Sequence, residues 1–115
     1  MVKIDSVLPS PRIVNGIISW YFMDEFEIGL NIKLRDTDGT DIALTENDSV
    51  ILTIRNDRKE KVKEFEFKNI KDNFINLVFN KEVTMLFDTG VYFYDIRLSG
   101  TYNQTIVKNN LIKVE

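Results

Sequence analysis

Asp88-Thr89-Gly90-Val91-Tyr92-Phe93-Tyr94-Asp95-Ile96-Arg97-Leu98 is the stretch whose reading decides the fold. From Tyr92 onward every second residue is apolar: Tyr92, Tyr94, Ile96, Leu98. Successive side chains of a strand point to opposite faces, so strict alternation marks a strand with one face on a core. Outward from this stretch the same period returns. In residues 26–35, Phe26, Ile28, Leu30, Ile32 and Leu34 alternate with Glu27, Gly29, Asn31, Lys33 and Arg35. One dry face and one wet face favour an antiparallel sheet, because parallel strands are buried on both sides. Val50, Leu52 and Ile54 repeat the pattern, as do Phe65 and Phe67, and then Ile75, Leu77 and Phe79.

The connections between these runs are equally informative. Asp88-x-Gly90-x-Tyr92 has the spacing of the turn into a central strand of an immunoglobulin-like sandwich, where an aromatic hydroxyl folds back onto the backbone. Asp88, Gly90 and Tyr92 are therefore the expected structural corner. Tyr94 would stand where antibody domains place their second cysteine. Asp36-Thr37-Asp38-Gly39-Thr40 supplies a turn. Asn80 can cap one helical turn near residues 81–86, with Met85 or Leu86 packing beneath the sheets. Residues 12–22 are β-branched and aromatic and read as extended, with Gly16 marking a bulge or a close backbone approach. The last strand, residues 105–114, is interrupted at Asn109-Asn110. The expectation is an all-β fold: one immunoglobulin-like antiparallel β-sandwich domain of about seven strands spanning residues 1–115. Residues 1–11, with Pro9 and Pro11, form an extended N-terminal arm.

At 115 residues the chain can bury one modest core, and 43% hydrophobic with 29% charged residues is ordinary for a globular domain. A net charge of −3 argues against nucleic acid as a partner, which asks for a basic footprint. There is no cysteine and no histidine. That removes disulfides, thiolate nucleophiles, the commonest general base and the commonest metal ligand. The first residues lack the apolar run of a signal peptide, and no stretch approaches the ~20 apolar residues of a membrane-spanning helix.

No reactive constellation stands out. Asp36-x-Asp38-Gly39-x-Asp41 has aspartates like a calcium loop, yet Asp41 and Asn47 occupy the positions that an EF-hand gives to glycine and to a bidentate glutamate. Turn chemistry explains it better. The serines and threonines have no histidine to activate them. Arg58-Lys59-Glu60-Lys61-Val62-Lys63-Glu64 alternates in sign and reads as a solvated hairpin face. Catalytic, metal-binding and cofactor-binding residues are thus expected to be none. Trp20-Tyr21-Phe22 is the exception. Three consecutive aromatics on a strand cannot all face one core. At least one is exposed, under a loop or against a partner, which makes Trp20, Tyr21 and Phe22 the expected partner-binding patch. A subunit interface, stacking on a sugar, and packing under the N-terminal arm are the three readings.

Several segments together resemble one family. Leu34-Arg35-Asp36-Thr37-Asp38-Gly39 runs on to Ile42-Ala43-Leu44-Thr45; Val50-Ile51-Leu52-Thr53-Ile54-Arg55 follows. Gly90-Val91-Tyr92-Phe93-Tyr94-Asp95-Ile96 comes after the helical turn, and the chain closes with residues 106–114. Over about residues 24–115 this is similar to the N-terminal domain of phage baseplate upper proteins and to related immunoglobulin-like domains of phage tails and prophages. The resemblance implies a non-enzymatic structural module that binds other tail or baseplate proteins, in an oligomer or as an attachment point. It also implies a place in a virion, or in the cytoplasm of a prophage-carrying bacterium. A carbohydrate-binding or adhesive domain is the alternative.

Overall fold

The computed structural model describes residues 9–115, so most of the expected arm (residues 1–8) lies outside the described residues. The elements are β1 (Arg12–Val14), β2 (Ile17–Trp20), β3 (Phe26–Asn31), β4 (Ser49–Asn56), β5 (Lys61–Lys68), β6 (Phe74–Phe79), α1 (Lys81–Thr84), β7 (Gly90–Ser99) and β8 (Gln104–Val114). They build an all-β sandwich of unequal layers. One sheet has six strands in the order β1-β2-β8-β7-β4-β5, and β3-β6 is the other. The connectivity is immunoglobulin-like, with β3 and β6 opposite a β8-β7-β4-β5 sheet. All pairings are antiparallel except β2 on β8, where Ile18 sits beside Ile112 and Trp20 beside Val114.

The alternating residues meet in the core as their period dictates. Val50, Leu52 and Ile54 of β4 lie in register with Leu98, Ile96 and Tyr94 of β7, and all six are buried. From the opposite layer come Phe26 and Ile28, paired with Phe79 and Leu77. Each such side chain contributes roughly 1.5–3 kcal/mol by leaving water. Trp20 is fully buried at the centre of an aromatic cluster. Its ring lies 5.0 Å from Phe26, 5.3 Å from Phe79 and 5.4 Å from Phe87, the last edge-on. It ties β2 of the larger sheet to both strands of the other.

Four expectations need correcting. Residues 12–22 are a hairpin and not one extended run, which brings the strands among the described residues to eight. Asn15 and Gly16 both take left-handed dihedrals (φ 52° and 79°) between Val14 and Ile17, the geometry of a two-residue hairpin turn. The run of residues 26–35 breaks after Asn31. There the facing strand ends at Asn73, whose side chain accepts from Leu44 N–H and donates to the Ile42 carbonyl, both at 2.8 Å, diverting the loop. Beneath the helical turn it is Val83, Thr84 and Phe87 that are buried; Met85 and Leu86 face water. Asn80 caps that turn by accepting from Val83 N–H at 3.0 Å. Finally, Trp20 belongs to the core.

Candidate interaction site

The corner comes first, because it fixes the frame. The Tyr92 hydroxyl accepts from Asp88 N–H at 2.9 Å and donates to the Asp88 carbonyl at 3.0 Å. Both backbone groups of one residue are thus satisfied by a single side chain, and the entry to β7 is locked. Burial pushes the phenol's pKa up, against the opposing pull of the Asp88 hydrogen bond. Two positions along, Tyr94 is also buried, and its hydroxyl donates to the Gly16 carbonyl at 2.6 Å while accepting from Asn110 Nδ2 at 3.3 Å. A side chain of the central strand therefore holds the tip of the first hairpin. Gly16 is needed there, since a Cβ would lie 2.9 Å from Asn110 Nδ2.

A second polar anchor sits at the other end of β7. Buried Asp48 accepts from Thr45 N–H at 2.9 Å and Thr45 Oγ1 at 3.0 Å through one oxygen, and from Thr101 N–H at 3.0 Å through the other. These bonds, led by Thr45 N–H, hold its carboxyl below the usual range. Gly100 (φ 119°) lets the turn approach so closely that an added Cβ would overlap the Asn47 carbonyl oxygen and stand 3.0 Å from Asp48 Cα.

The three aromatics of the expected patch separate. Trp20 has no exposed surface and cannot touch a partner, because its position in β2 faces inward. Its Nε1 has no hydrogen-bond partner among the described residues. Tyr21 and Phe22 do stand out, at 42% and 46% exposed, and Met23 joins them at 42%. They sit on a turn closed by Asp24 N–H to the Tyr21 carbonyl (3.0 Å), with Met23 in the left-handed region at φ 71°. Glycine or asparagine normally fills that position. Ser10 braces the turn, donating to Asp24 Oδ2 at 2.6 Å and accepting from Tyr21 N–H at 3.1 Å. The backbone then joins the end of β8, Phe22 N–H donating to the Glu115 carbonyl at 2.8 Å. Arg12 covers one face of Tyr21, 4.9 Å above the ring, and pairs with the Glu115 carboxylate at 2.7 Å. Met23 is the residue sequence reasoning missed; nothing in its neighbours signals a left-handed methionine.

Sheet edges are the other feature that can engage a partner. In the larger sheet the edge strands are β5, which carries charges of both signs, and β1, which has only three residues. Both are devices that discourage strand addition. β3 has neither: six regular residues without lysine or proline. Ile32 N–H donates to the Asn73 carbonyl, so the residues in phase with it (Phe26, Ile28, Leu30) bond inward to β6. The backbone groups of Glu27, Gly29 and Asn31 therefore point away from β6, and no described strand pairs with them.

The acidic turn uses its carboxylates on itself. Asp36 Oδ1 accepts from Thr37 N–H at 2.7 Å, Asp38 Oδ1 from Thr40 N–H at 3.0 Å, and Asp41 lies 3.4 Å from Arg35. Hydrogen bonds from Thr40 keep the Asp38 carboxyl low. Among the described residues no group of three or more acidic side chains is placed to hold a metal, and no helix is long and apolar enough to cross a membrane. The chain matches no protein-family model, and no curated protein and no solved structure is significantly similar to it.

Proposed function

We propose that this chain is a non-enzymatic interaction module of a phage or prophage tail or baseplate, joining other proteins through its aromatic turn and an open sheet edge. The observation that carries this reading is the turn at residues 21–24. Two large apolar side chains, Phe22 and Met23, project from it about half exposed. Met23 holds a left-handed dihedral at a cost of roughly 1 kcal/mol or more relative to glycine. Apolar bulk presented at that cost suits a contact surface better than a solvent loop. The unguarded edge of β3 supports the same reading, since an extended segment can add there through backbone bonds. The carbohydrate-binding alternative loses its principal residue with Trp20, and one face of Tyr21 is already taken by Arg12.

Sedimentation of the purified protein, alone and mixed with the products of adjacent genes, tests the proposal. The expected result is self-association or co-sedimentation that weakens in Phe22→Ser and Met23→Ser. A protein that stays monomeric at high concentration and ignores the neighbouring products refutes it.

A further inference from the structure

The outward face of the larger sheet carries a shallow depression of about 330 Å³ that the aromatic turn does not use. Cross-strand register builds it. Thr53 of β4 lies between Glu64 of β5 and Asp95 of β7, and Ile51 lies beside Arg97, which in turn faces Thr105 of β8. Arg55 and Lys108 complete the wall. The two carboxylates are already engaged. Asp95 accepts from Asn109 N–H at 2.7 Å and faces Arg55 at 3.7 Å; Glu64 accepts from the Thr53 hydroxyl at 3.4 Å and lies 3.9 Å from Lys61.

Two of the cations are not engaged. Arg97 donates to a neutral acceptor, Thr105 Oγ1 at 3.3 Å, and among the described residues neither Arg97 nor Lys108 has a carboxylate within salt-bridge distance. Among the described arginines Arg97 stands alone in this, since Arg12, Arg35, Arg55 and Arg58 each have one. The register break in β8, with Asn109 at φ 54° clamped by Asp95, sits directly beside Lys108. Irregularities of this kind re-aim side chains. In a chain of net charge −3, two spare cations beside two hydroxyls form a local positive notch.

We infer that this notch receives a carboxylate side chain from an acidic segment of a partner protein. A guanidinium with free donors is the group best suited to a planar carboxylate. A polynucleotide would need a row of cations and would meet Glu64 and Asp95 at the rim, so the mixed-sign wall selects a single anionic group. The notch lies at the far end of β8 from Tyr21 and Phe22, and stands or falls separately from that patch.

Titration with an N-acetylated, C-amidated hexaglutamate at low salt, followed by backbone amide chemical shifts, tests the inference. Shifts are expected in residues 95–99 and 105–108, with affinity falling about 5-fold in Arg97→Gln and again in Lys108→Gln. Lys108→Arg and Arg35→Gln should bind as the parent does, and the spectra themselves report that each variant is folded. The inference is overturned if these amides do not move or if Arg97→Gln/Lys108→Gln binds undiminished. It is equally overturned if Arg35→Gln weakens binding as much, or if inorganic phosphate or oligothymidylate binds the same amides as tightly.

Discussion

Replacing either of two glycines with alanine separates backbone strain from steric overlap in this sandwich. Gly16 and Gly100 both have positive φ, 79° and 119°, so alanine is strained at each by about 1–2 kcal/mol. What the new methyl meets then differs. At Gly16 it stands 2.9 Å from Asn110 Nδ2, a side-chain tip that can swing aside at the loss of one hydrogen bond, about 1 kcal/mol. At Gly100 it overlaps the Asn47 carbonyl and crowds Asp48 Cα at 3.0 Å, and backbone cannot rotate away. Overpacking of that kind costs a further 1–3 kcal/mol. The methyl would also push Asp48 off the Thr101 amide that it accepts from. The totals are about 2 kcal/mol for Gly16→Ala and about 4 kcal/mol for Gly100→Ala. For a domain of this size each kcal/mol moves Tm by about 4 °C, giving drops of about 8 °C and about 16 °C. Far-UV circular dichroism melts, with urea unfolding as the second measure, read both. Equal drops, or a larger one for Gly16→Ala, refute the assignment of the Asn47–Asp48 backbone as the rigid neighbour.

Three other outcomes are expected. Tyr92→Phe strands the Asp88 N–H and carbonyl at once and should cost about 1–3 kcal/mol in urea unfolding with little change of fold. Trp20→Ala should cost about 3–5 kcal/mol, as for a buried aromatic, whereas Tyr21→Ala beside it should stay within about 1 kcal/mol. Because its pKa is depressed in the fold, Asp48 adds stability that is complete above the unfolded value of about 3.9 and is lost as pH falls through the lower folded value. The stability gap between the parent and Asp48→Asn should therefore be constant near neutrality and narrow below about pH 4 in acid-dependent melts.

The two-residue period made β4, β6 and β7 legible, since each buries one face throughout and the pattern needs no partner to be read. The immunoglobulin-like corner was legible because its three residues are local. What escaped the sequence depends on distant neighbours. Asn15-Gly16 is a strong hairpin signal; reading Gly16 as a bulge or a close backbone approach caught its tight packing against Asn110 but not the turn. Trp20 turns inward while Tyr21 and Phe22 do not, a choice set by the phase of β2 against β8, nearly the whole chain away. Phe87, not Met85 or Leu86, fills the space under the helical turn: beyond Thr84 the chain tightens, Leu86 N–H and Phe87 N–H donating to the carbonyls three residues back, Val83 and Thr84. The Arg97–Lys108 notch needs the β8 irregularity, which Asn109-Asn110 signalled without saying what it aims.

The parallel seam between β2 and β8 governs when the protein can become itself. Ile18 and Trp20 wait for Ile112 and Val114, which are synthesised long after them, so the β1–β2 hairpin has no sheet to join until β8 has been made. Contacts of such long sequence separation form slowly, on the millisecond-to-second scale typical of all-β domains. Until then Trp20, Phe26 and Phe79 are uncovered sticky surface, and the nascent chain is most exposed to misassociation in that interval.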